Sequence, residues 1–113
     1  MTKIVLEEFI RDWYWDSPSH EFARQAGSFL IDFIAYLATT ALSEKTIRMH
    51  RRNTWLIGKF TADYGYHTVF SPSVFLSAKF YSPEFRRQVH DSESAVKSYI
   101  ATCRRLKRYI ESR

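Results

Sequence analysis

Apolar positions along most of the chain recur with a period near 3.6 residues, which predicts helices. Val5, Leu6, Phe9, Ile10 and Trp13 share one side of a first helix over roughly Ile4 to Trp15, with Glu7, Glu8, Arg11 and Asp12 opposite. Ser17-Pro18-Ser19 breaks it, and Ser19 is placed to cap a second helix running to about Thr40. Phe29 to Leu37 is nearly apolar all round, the mark of a helix central to a bundle, and Gly27 leaves open a division of this segment into two helices. A third helix starts at Ser43 and stops near Gly65, with Met49, Leu56, Ile57, Phe60 and Tyr64 gathered on one face. Tyr66 to Phe70 has the residue types of a strand but no second strand to pair with, so it reads as a loop or extended connector. Ser71-Pro72 and Ser82-Pro83-Glu84 each open a short helix, the second leading into Phe85 to Val89. The last helix starts at Asp91 or Ser92, and its expected buried face is Val96, Tyr99, Ile100, Cys103, Leu106 and Ile110. The expected fold is all-α, a compact bundle of four to five helices. Residues 1–113 form one domain, with an N-terminal helix and break over 1–18 and the bundle over 19–113.

Charge changes this picture. The chain carries a net +5, but residues 1–42 hold three Lys or Arg against six Asp or Glu, while 43–113 hold fourteen against six. An acidic partner is expected for the second part, or attraction between the two parts. At about 100° per residue, Lys45, Arg48, Arg52, Trp55 and Lys59 fall into one stripe of the third helix. Lys97, Arg104, Arg105 and Arg108 lie together on a face of the last helix. Cations in a row can neutralise phosphates, and an indole among them can lie against a sugar or base.

Catalytic chemistry is not indicated. His20, His50, His67 and His90 are scattered without metal-binding spacing, so neither a metal nor another cofactor is expected. Asp12, Asp16 and Glu21 read as surface charges suited to a helix N-terminus. Cys103, the single cysteine, falls on an apolar face and reads as a buried structural thiol. There is no phosphate-cradling Gly-rich loop, no Gly-x-Ser-x-Gly and no dinucleotide fingerprint. Phe9, Trp13, Phe29, Phe33, Phe60 and Phe85 are assigned to the core, whereas Trp15, Trp55, Tyr66 and Tyr81 lie near turns or among charges. The N-terminus lacks a signal-peptide pattern and the longest apolar run is too short to span a bilayer, so a cytoplasmic protein away from membranes is expected.

Phe29-Leu30-Ile31-Asp32-Phe33-Ile34-Ala35-Tyr36-Leu37 is followed by Leu42-Ser43-Glu44-Lys45-Thr46-Ile47-Arg48-Met49-His50-Arg51-Arg52. This order resembles the N-terminal core-binding domain of tyrosine recombinases and phage integrases. In that family a Phe-Leu…Leu helix leads into Leu-Ser-x-x-Thr-Ile-x-x-Tyr and a basic helix, then a Pro-containing connector and short helices. The segment from Ser92-Glu93-Ser94-Ala95-Val96 to Arg104-Arg105-Leu106-Lys107-Arg108-Tyr109-Ile110 resembles the family's last helix. The likeness covers about Ser28 to Ser112; His50 stands at the family's Tyr position, and its following Leu and Phe positions fall near Thr54 and Ile57.

The resemblance implies a domain that clamps one side of a DNA duplex with basic helices. The matching positions are Lys45, Arg48, Arg51, Arg52 and Lys59, with Lys97, Arg104, Arg105 and Arg108 on the last helix, and Trp55 joins them as a nucleic-acid-binding candidate from the stripe of the third helix. The family's cleavage residues, which include a His-x-x-Arg, have no counterpart here, so no recombinase chemistry is expected of this chain. The alternative is a small helical interaction module, of the kind a phage or plasmid accessory factor uses, docking an acidic protein. A homodimer joined through Phe29–Leu37 is compatible with either.

Overall fold

The computed structural model describes residues 4–63, 69–90 and 92–112. Among them there is no strand, and the helices follow the expected order. Helix α1 spans only Leu6–Phe9, one turn instead of the expected three. Beyond it the chain turns, with the Trp13 N–H donating to the Ile10 carbonyl at 2.8 Å. The turn has a packing cause. Ile10 and Trp13 are both fully buried, and each enters the core where a neighbouring helix carries a glycine.

Helix α2 spans Ser17–Ala38 and runs unbroken through Gly27. Gly27 is therefore a close-approach site and not a helix break: a Cβ there would lie 2.4 Å from Ile10 Cγ2. The cap also differs from expectation. Asp16 is the N-cap, and Ser19 completes a reciprocal capping box, its N–H donating to the Asp16 carboxylate at 2.9 Å while the Asp16 N–H donates to the Ser19 hydroxyl at 3.0 Å. Those bonds from Ser19 hold the Asp16 carboxyl below its ordinary pKa. Leu30, Phe33, Ile34 and Leu37 are buried, but Asp32, Ala35 and Tyr36 are exposed, so α2 presents one face to the core and is not the all-round buried central helix expected.

Helix α3 spans Glu44–Asp63. Ser43 caps it, its Oγ accepting from the Thr46 N–H at 3.2 Å. The buried face is not the one a helical wheel selects. Ile57 and Phe60 are buried as expected, but Met49 and Leu56 are only half-buried, and Tyr64 lies outside the described residues. In their place His50, Asn53 and Thr54 turn inward.

The 3₁₀ helix Pro72–Tyr81, α4 over Ser82–Gln88 and α5 over Glu93–Glu111 complete the bundle. Ser92 is the N-cap of α5, its Oγ accepting from the Ala95 N–H at 3.4 Å. The Arg86 guanidinium donates to the Glu93 carboxylate at 2.8 Å, tying α4 to α5 and holding the Glu93 pKa down. The buried line of α5 is Val96, Tyr99, Thr102, Leu106 and Tyr109. Ile100, Cys103 and Ile110, expected on that line, are half-buried, because the helix is turned to bring Thr102 against α3 and Tyr109 against α2. Of the connector Tyr66–Phe70, Val69 and Phe70 are non-helical, and Tyr66, His67 and Thr68 lie outside the described residues.

The helices close on one core containing Phe9, Trp13, Phe33, Phe60 and Phe85, with Phe29 half-buried at its edge. Phe85 stacks on Tyr99 with ring centroids 4.3 Å apart, and Phe33 packs against Tyr109 at 5.3 Å. A polar bridge joins α3 to α5 inside this core. Thr102 Oγ donates its single proton to the Ser98 carbonyl at 3.0 Å. It accepts from Asn53 Nδ2 at 3.0 Å, and its remaining lone pair meets His50 Nδ1 at 2.6 Å. That count assigns the Nδ1–H tautomer to His50. Among the described residues, no helix is long and apolar enough to cross a membrane.

Candidate nucleic-acid interface

The basic stripe of α3 lies on the opposite side of the helix from this polar bridge. His50 and Asn53 point α3 at α5, and Arg48 and Arg52 sit roughly 150° further round the helix. They face the side where α1 crosses. Here Trp55 does a job the sequence did not reveal: its indole N–H donates to the Phe9 carbonyl at 2.7 Å. This satisfies a carbonyl at the end of α1 and fixes the turn against α3. Trp55 is half-buried, held in a single orientation by that bond.

The α1–α3 junction leaves a surface cleft of about 600 Å³. Arg48, Arg51, Arg52 and Trp55 line it from α3, and Ile4, Val5, Glu8 and Phe9 from the α1 side. Arg48 and Arg52 are exposed and Arg51 is half-buried. Among the described residues no carboxylate comes within ion-pair distance of these arginines. Glu7, nearby, is otherwise engaged, meeting His20 at 3.0 Å and Arg24 at 3.7 Å. Glu8 is exposed at the cleft and is its only acid among the described residues. Lys45 is exposed on the first turn of α3, and Lys59 is half-buried toward its far end.

The cations of α5 are not brought to this cleft. Arg104 borders a smaller cleft of about 260 Å³ with Phe75, Leu76 and Cys103. Arg105 and Arg108 border another of about 330 Å³ with Tyr36 and Tyr109. Lys97 is exposed one helical side away from the α3 contact. The two basic sets therefore point to different sides of the bundle and do not form one continuous clamp. Arg105 is nearest to α3, and its charge adds to the effect of burial in pushing the His50 pKa below its usual value.

Sequence reasoning missed the α1 side of the cleft. Val5 and Phe9 were assigned to the apolar face of a longer helix, yet Val5 is 52% exposed. Cys103 is half-buried, and burial pushes its thiol up to about 11, as suits an inert structural cysteine. Among family models, curated proteins and solved structures, none matches this chain.

Proposed function

We propose that the chain binds DNA through the outer stripe of α3, with Lys45, Arg48, Arg51 and Arg52 contacting phosphates. One observation carries this reading: three arginines without carboxylate partners among the described residues converge on one side of α3, around a cleft with a fixed indole. Counterion release on phosphate contact would supply the affinity, and no sequence selectivity follows from it. The integrase-like resemblance gains some support from α3. Its buried positions His50, Thr54 and Ile57 share the phase of the family's Tyr, Leu and Phe positions. On this reading the chain acts in the cytoplasm as a binding module and not as an enzyme. The α5 cations would serve a second, separate contact.

Docking of an acidic protein is the second reading, favoured by the apolar side chains that line the same cleft. The Arg48→Ala/Arg52→Ala double variant separates the two. It should weaken binding to every duplex tested and flatten the dependence of log K on log salt by about 2, since each lost phosphate contact removes roughly 0.9. Unchanged duplex affinity in this variant would remove these residues from the interface.

A further inference from the structure

We infer that the α1–α3 cleft takes an unpaired nucleobase, so that single-stranded nucleic acid is bound in preference to an intact duplex. This rests on the phosphate-binding reading above. The cleft combines two chemistries. Its α3 wall is cationic, from Arg48, Arg51 and Arg52, and its α1 side is apolar apart from Glu8, with Val5 left 52% exposed. A duplex carries its phosphates outside and keeps its bases stacked within, so it would meet the arginines and leave the apolar side wet. A single strand can turn a base into the cleft while its phosphates stay on the guanidinium groups. The volume of about 600 Å³ is ample for that occupant.

The aromatic group is set up for stacking and not for reading. Trp55 has spent its only hydrogen-bond donor on the Phe9 carbonyl, so it can offer a base its ring but no polar contact. Selectivity among bases should therefore be slight. Glu8 distinguishes between anionic occupants. An exposed carboxylate at the cleft repels a run of acidic side chains. The same group can accept a hydrogen bond from the exocyclic amine of a base. A nucleotide satisfies arginines, indole and carboxylate together, and a glutamate-rich peptide does not.

The test uses the full chain at one low salt concentration with three DNA ligands: a strand of about 12 nucleotides, its duplex, and an abasic strand with the same phosphates. The base-bearing strand should bind about tenfold or more tighter than either of the others. Val5→Glu, a change at an exposed position, should bring the strand down to the level of the abasic one with an unaltered circular dichroism spectrum. If duplex and abasic strand bind as tightly as the intact strand, the inference is overturned while phosphate binding stands. If none of the three binds, both readings fall. Displacement of the strand by a glutamate-rich peptide of equal charge and concentration would assign the cleft to an acidic protein and also overturn it.

Discussion

Gly58→Ala tests the way the N-terminal segment is locked into the bundle. A Cβ on Gly58 would lie 2.1 Å from Trp13 Cη2, 2.5 Å from Cζ2 and 2.7 Å from Cζ3. Ordinary carbon contacts start near 3.5 Å, so α3 and the indole must separate by about 1.4 Å. The ring cannot slide away easily, being rigid and wholly buried between α1, α2 and α3. Overpacking of this kind costs about 1–3 kcal/mol, and the worst contact here lies at the severe end. Against it stands the better helix propensity of alanine, about 1 kcal/mol. The net expectation is a loss of about 2 kcal/mol, or a fall in Tm of roughly 8 °C for a domain of this size. Urea denaturation and thermal melts would measure it. Gly27→Ala meets Ile10 Cγ2 at 2.4 Å and Leu6 Cδ1 at 3.0 Å, the ends of aliphatic side chains with rotamers the rigid indole lacks, so its loss should be smaller. Trp13→Leu combined with Gly58→Ala should show a favourable coupling relative to the two single changes. A Gly58→Ala protein as stable as the parent, or more so, would refute the placement of Trp13 against α3.

The polar bridge yields a pH dependence. Burial lowers the pKa of His50, so below about pH 6.5 the unfolded chain takes up a proton that the folded chain resists. Stability should be full above pH 6.5 and decline as pH falls below it, and His50→Gln should flatten that part of the profile in urea titrations between pH 7.5 and 5. Asn53 is fully buried with its Nδ2 on Thr102, so Asn53→Asp, which buries a charge there, should cost about 3 kcal/mol near neutral pH by chemical denaturation. Trp55→Phe deprives the Phe9 carbonyl of its donor and should cost about 1 kcal/mol, with faster hydrogen exchange around α1. Cys103, with its thiol pushed up to about 11, should react with a disulfide reagent at pH 8 far more slowly in the folded protein than in urea.

Local signals carried the fold a long way. Ser43, Ser92 and the two Ser-Pro pairs mark helix starts through bonds or φ restrictions that need only adjacent residues. The apolar run of α2 misled, because Ala35 and Tyr36 face solvent and the helix buries only one side. What failed depended on residues far away in sequence. A wheel sends His50 and Asn53 outward because they are polar, yet Thr102 and Ser98, 45 to 52 residues later, give His50 Nδ1 and the Asn53 amide nitrogen partners inside. Gly27 resembled a helix break because its true partner, Ile10, belongs to a different segment. The four-residue α1 escaped for the same reason: the turn after Phe9 is set by where Ile10 and Trp13 find room. For the candidate site, periodicity placed the arginines of α3 on one side of the helix. Whether α5 shares that side is a matter of helix packing, and the bundle turns the two basic faces apart.

The salt dependence of binding to a generic DNA duplex of about two turns bears most directly on the α3 stripe. Four cations, Lys45, Arg48, Arg51 and Arg52, each releasing roughly 0.9 counterion, give an expected slope of log K against log salt of about −3 to −4. Absence of binding at low salt, or an affinity that salt leaves unchanged, would contradict the assignment of this stripe to phosphates.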